Sequence, residues 1–218
     1  RRRIRQYYNG AYHGAPAAYL AYRCARRARR GDTNAALWLA VVGLADLRAH
    51  QRIDAELYNY YVDEFKADVL AKNNAEQQTV EHDGIEVPTL EDGKIVVQRD
   101  YELMLYRHWN LYDSLYFSPG PAARLASWRA QGRRALEELL ARMGFALHQC
   151  RQKYAHMDPA LRARLRQALG EHGPDYGLGE LTFESFARST GYGGRVGAAD
   201  TAHAVTGLLL RRAGGGGG

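Results

Sequence analysis

Residues 36–47 read ALWLAVVGLADL, a run that carries no charge until Asp46. A run this short cannot cross a bilayer, which takes ~20 apolar residues, so it must find its cover inside protein. Asp32 or Thr33, just ahead of it, is the residue type that caps a helix start. The pattern predicts a buried helix against which neighbouring elements pack. Its single acid poses a chemical question. An ionised carboxylate taken inward without a partner is costly, so Asp46 is capped, paired, at the surface, or a metal ligand.

A chain of 218 residues suffices for one large domain or two small ones. Roughly 70% of the unfolded surface can be buried at such a size, enough for a core without staples. The two cysteines, Cys24 and Cys150, are far apart and have no metal-ligand spacing around them, which favours a reducing compartment. RRRIRQYYNG leads into no apolar stretch of a signal peptide. A start without Met and the closing GGGGG predict a piece of a longer protein.

The net charge of +6 is distributed in blocks. Residues 1–30 hold nine Arg and no acid, residues 54–102 thirteen acids against four bases, and residues 103–170 eleven bases against four acids. Alternating blocks suit complementary protein surfaces at least as well as nucleic acid, which draws one continuous basic face.

Helical signals dominate. Pro16 and Gly31 bracket a helix over 15–30, whose last arginines complement the negative end of its dipole. Leu57, Tyr60, Tyr61 and Phe65 mark a helix over 52–74. Residues 79–98 alternate Val and Ile with polar residues around DG at 83–84 and 92–93, predicting short strands or a hairpin. From Asp100, the set Leu105, Trp109, Tyr112 and Tyr116 predicts a helix with a wide buried face that includes His108, stopped by SPGP at 118–121. The next predicted helix aligns Leu125, Trp128, Gly132, Leu136, Leu139 and Met143. Shorter helices are expected at 146–156, 159–170, 181–189 and 198–211, with GYGGRVG (191–197) as a turn between the last two.

Few catalytic patterns survive inspection. The eight histidines are scattered, without the clustering a zinc site needs. A nucleophile elbow, a P-loop and a dinucleotide fingerprint are all missing from the sequence. The fifteen tyrosines mostly fall in periodic segments, where core packing competes with a base-stacking role.

LWLAVVGLAD (37–46) resembles the last motif of the RecJ-like DHH phosphoesterases, whose nuclease members read approximately ALGTVAD. There the final Asp is a ligand of a manganese pair, and Asp46 stands at that position. YHGAPAA (12–18), LYRHWNLYDSLYFSP (105–119), LHQCRQKYAHMD (147–158) and GAADTAHAVTGLLL (197–210) resemble, in order, segments of the cell division cycle protein 45 family. The resemblance implies a fold that is mainly α with a small β element: the C-terminal part of a RecJ-like DHH α/β domain followed by a family-specific helical insertion. It divides the chain into 1–75, the end of the DHH-like domain; 76–99, an acidic strand or loop segment; 100–212, the helical insertion; and 213–218, a glycine tail.

The function the resemblance implies is that of a non-catalytic, nuclear scaffold subunit of the replicative helicase, bridging the MCM hexamer and the GINS complex in DNA replication. No cofactor, catalytic residue or membrane contact is implied, and a weak single-stranded DNA contact is. A two-metal site needs several ligands converging on ions ~4 Å apart, and no DHH triplet occurs in this sequence, so Asp46 is expected to be vestigial. The alternatives are a RecJ-type metal-dependent single-strand exonuclease and a single-strand DNA-binding module. Arg124, Arg129, Arg133, Arg134 and Arg142 are the expected partner anchors, with a solvated basic face as the competing explanation. Helical spacing puts Arg129 and Arg133 on one face.

Overall fold

The computed structural model describes residues 14–28, 33–75, 79–82, 85–88, 93–190 and 194–214. Gly31, Asp32, the first DG pair and the end of the glycine tail lie outside them. The chain divides into two compact units: Arg1–Val97 with Phe186–Ala202, and Gln98–Ser185 with His203–Gly218. The fold is mostly helical with a small β component, in agreement with the expectation from sequence.

In the first unit, α1 (Ala17–Arg27) and α2 (Asn34–Ala49) cross closely. Thr33 caps α2, its hydroxyl accepting from the Ala36 N–H at 3.1 Å. Leu37, Trp38, Ala40, Val41 and Leu44 are buried, whereas Leu39 is 66% exposed, so the apolar run is not enveloped on every side. Gly43 permits the crossing, since a Cβ there would lie 2.9 Å from that of Ala18. On α3 (Ala55–Ala75), Tyr61 and Phe65 face the core while Tyr60 points outward.

Part of the charge alternation is consumed inside this unit. Arg23 pairs with Glu64 and Arg26 with Asp68. The hydroxyls of Tyr19 and Tyr22 donate to the same two carboxylates. Because positions three or four apart share a helix face, α1 and α3 meet along a two-rung ladder. The basic and acidic blocks thus begin as partners of one another.

β1 (Thr79–His82) and β2 (Ile85–Pro88) form an antiparallel hairpin, with Val80 opposite Val87. The second sheet has the order β3 (Ile95–Tyr101), β4 (Thr182–Ser189), β5 (Arg195–Gly197). β4 and β5 are antiparallel, with Arg188 opposite Val196. Two predictions fail here. Within 181–189, Thr182–Ser189 form a strand and not a helix, and just before the start of β3 the Ser189 N–H donates to the Lys94 C=O at 2.8 Å. GYGGRVG therefore leads from strand to strand and not from helix to helix, although 191–193 lie outside the described residues.

The second unit packs α4 (Leu111–Phe117), α5 (Pro119–Leu125), α6 (Ala130–Arg142), α7 (Leu147–Cys150) and α8 (Pro159–His172) around Leu111, Leu115, Leu136, Leu139, Phe145 and Leu165. Single 3-10 turns fall at Tyr154–His156 and Pro174–Tyr176. Asp158 caps α8, its side chain accepting from the Ala160 N–H, and Pro159 takes the first position. The last helix, α9 (Ala198–Gly214), spans the predicted 198–211.

Besides 146–156, which is only α7 and the separate 3-10 turn Tyr154–His156, two helix predictions need redrawing. Residues 102–110 are turns, with Leu105 left-handed at φ 52°. The helix begins only at Leu111, where Asn110 caps it by accepting from the Asp113 N–H at 2.8 Å. Asp100 organises this stretch. It is nearly fully buried, and both its oxygens take the Arg107 fork at 3.0 and 3.1 Å. Tyr101 N–H adds a third bond at 2.9 Å. SPGP, in turn, begins α5 as well as ending α4.

The second redrawn helix is the one expected to run from Leu125 to Met143. It is broken at left-handed Ala126, so Trp128 sits in a turn, 62% exposed, and not on the buried face. Gly132 makes this corner possible, because a Cβ there would meet the carbonyl oxygens of Ala126 and Leu125 at 2.2 and 2.3 Å.

Gly132→Ala should lower stability by more than about 2 kcal/mol, the clash with backbone outweighing the roughly 1 kcal/mol that alanine gains by helix propensity; urea unfolding measures this. Burial pushes the Cys150 thiol up to about 11, while Cys24 is exposed. A thiol reagent at neutral pH should therefore titrate one cysteine in the native chain and both after unfolding. Burial also pushes the Tyr101 phenol up to about 12. An unfolded tyrosine ionises near about 10, so the folded chain holds its proton where the unfolded one loses it. Stability is present below about 10 and lost as pH climbs toward about 12, visible as a falling urea midpoint across that window.

Candidate partner-binding face

The α5–α6 corner presents the basic residues. Arg124 lies in the last turn of α5, Arg129 precedes α6, and Arg133 and Arg134 lie within its opening turns; all four are exposed. Arg124 and Arg129 line a cleft of about 350 Å³ that Asp175 and Tyr176 complete from the other side. Arg142, at the far end of α6, is engaged locally. It bonds Glu138 at 2.9 Å, lies 3.7 Å from Asp175, and covers the Tyr176 ring at 5.6 Å.

The expected face shared by Arg129 and Arg133 is not a helical one. Arg129 has extended backbone, φ −96° and ψ 152°, and occupies the cap position. It reaches Arg133 only through its carbonyl, which accepts the Arg133 N–H at 3.1 Å. The electrostatics are the informative part. The first turn of α6 has no acid and no side-chain cap bond, and cations crowd the positive end of the helix dipole, where each is disfavoured by ~0.3–1 kcal/mol. Local folding gains nothing from Arg129 there. An acidic partner would reverse the sign. Exposed Trp128 beside it adds an aromatic, and Trp and Arg are the residue types that dominate binding energy at interfaces.

Asp46 answers its question differently. It is on the last turns of α2, half-exposed, with Oδ1 3.1 Å from His50 Nδ1. The same nitrogen lies 3.0 Å from the Asp46 carbonyl oxygen, within reach of both acceptors when it carries the proton. Paired and partly exposed, the carboxylate is not an isolated buried charge. It does not fit a manganese pair: His50 takes up one oxygen, and among the described residues no three His, Cys, Asp or Glu side chains are grouped to hold a metal.

Sequence reasoning missed one cluster. It placed His108 and Trp109 on a buried helix face, whereas they flank an open cleft with Phe117, Arg151 and Lys153. Asn110 followed by Asp113 was the signal, a cap residue announcing that the helix starts after Trp109.

The family model for CDC45 matches residues 1–214. The cell division control protein 45 homologue of Schizosaccharomyces pombe is 34% identical over 94% of this chain and 32% of its own length. The human homologue is 30% identical over 91% of the chain and 34% of its own length. A crystal structure of CDC45 from Entamoeba histolytica superposes with a TM-score of 0.73 at 26% identity, over 92% of this chain and 38% of that one. The chain spans about a third of the length of the curated relatives it matches. With the motifs in order and the fold alike, the chain belongs to the CDC45 family.

Proposed function

We propose that the protein to which this chain belongs acts in DNA replication and the cell cycle as a non-catalytic, nuclear, chromatin-bound scaffold subunit of the replicative helicase, bridging the MCM hexamer and GINS. In this reading its first residues end a RecJ-like DHH domain whose phosphoesterase chemistry has been lost. Family membership supports the reading, and the observation that carries the binding role is the arginine corner, where cations stand at the wrong end of a helix for folding and the right one for an acidic partner. A rigid module of this kind acts by bracing, and a stable interface buries well over ~1,000 Å².

A RecJ-type exonuclease finds no support in the pairing of Asp46 with His50. A weak single-strand DNA contact is compatible with bracing and would fade steeply as salt rises.

The test is retention of recombinant MCM hexamer and GINS by the full-length protein at moderate salt. Arg129→Asp separates binding from folding. It supplies the missing cap and reverses the charge, so stability should rise by about 1 kcal/mol while retention falls. Arg133→Glu should weaken retention as well. Retention that ignores both changes removes the corner from the interface, and failure to retain either partner overturns the helicase role.

A further inference from the structure

Beside α4 lies a second cleft, of about 330 Å³, separate from the arginine corner. One wall is aromatic. The rings of Trp109 and Phe117 meet edge to face, with centroids 6.2 Å apart and planes at 76°, and Phe117 is 53% exposed. The facing wall is cationic, formed by exposed Arg151 and Lys153.

The two walls are fixed to each other. Asn110 and Lys153 form an isolated antiparallel bridge, and the Tyr154 N–H donates to the Trp109 carbonyl at 2.9 Å. The one acid of the cleft is occupied: Asp113 accepts from the Asn110 amide at 2.6 Å. Arg151 is oriented over the Tyr112 ring at 4.8 Å, with Glu137 at 3.7 Å. Lys153 has no ion-pair partner among the described residues. An apolar surface is thereby held open beside a positive charge that nothing in the fold uses.

We propose that this cleft docks a linear peptide segment bearing one large apolar side chain flanked by acidic residues. The apolar side chain packs against the Trp109 and Phe117 rings together. The flanking carboxylates reach Lys153 and Arg151. Single-stranded nucleic acid fits less well, because successive bases need a succession of stacking platforms along a groove, and this space holds about one side chain. The inference is independent of the helicase reading.

The experiment pans the whole chain against a display library of short random peptides, with counter-selection on a Phe117→Ser, Lys153→Glu double variant. Both substituted residues are exposed, and a thermal melt checks the variant's fold; should it unfold, Lys153→Gln alone replaces it under the same criteria. The expected result is a family of peptides with an apolar residue between Asp or Glu, bound at least roughly tenfold more weakly by the variant, about 1.4 kcal/mol. Enrichment of no shared pattern, basic flanks, or equal binding to both forms overturns the proposal. Fluorescent oligodeoxythymidylate is measured alongside, and binding that the double variant loses would assign the cleft to nucleic acid instead.

Discussion

A single buried carboxylate determines how the second unit is threaded. Asp100 sits at the end of a strand with almost no access to water, where an unpaired charge would cost several kcal/mol. The two-pronged bond from Arg107 and the Tyr101 N–H answer that cost together. To make this bond the chain must fold back within seven residues, which accounts for the left-handed Leu105 and the delayed start of α4. The Arg107 guanidinium also lies 4.6 Å from the Tyr106 ring centre, and that ring meets those of Tyr101 and Tyr154 edge to face. One electrostatic requirement thus fixes a turn, an aromatic cluster and the position of Trp109.

The charge blocks divide by whether folding pairs them. In the first unit they close on each other, through the α1–α3 ladder of Arg23 with Glu64 and Arg26 with Asp68. In the second, Arg142 and Arg151 have intramolecular partners, whereas the corner around Arg129 opposes its own helix dipole. Charge that folding does not need is the more informative kind. Raw counts of Lys and Arg in the sequence cannot separate the two, because the separation depends on which helix end faces which residue.

Much of the helical skeleton was legible, and the reasons are local. Thr33 before an apolar run, Asp158 before Pro159, and the pattern of α9 are signals whose physics lies within a few residues. The failures share a cause. Phe183 and Phe186 stand three apart, as on a helix, yet β4 forms because it lies between β3, distant in sequence, and β5 in one sheet. Leu105 and Trp109 continue a helical spacing that Asp100 interrupts from outside the pattern. Of the candidate site, the residue types were readable. Their grouping was not, since it follows from the break at Ala126 and the space that Gly132 leaves for two carbonyl oxygens.

That tight corner bears on how association would proceed. Ser127 donates to the Tyr116 carbonyl at 2.8 Å, and the Arg129 N–H to that of Ala126 at 2.9 Å, so the backbone under the arginines is bonded on both sides. A surface held this way has little conformational entropy left to lose on binding, and preorganisation raises affinity without adding a contact. The arginines need to choose rotamers, but the loop that bears them does not need to find a shape. If this corner is the interface proposed above, recognition there would be governed by the fit and charge of the incoming surface, and not by ordering of the receiving one.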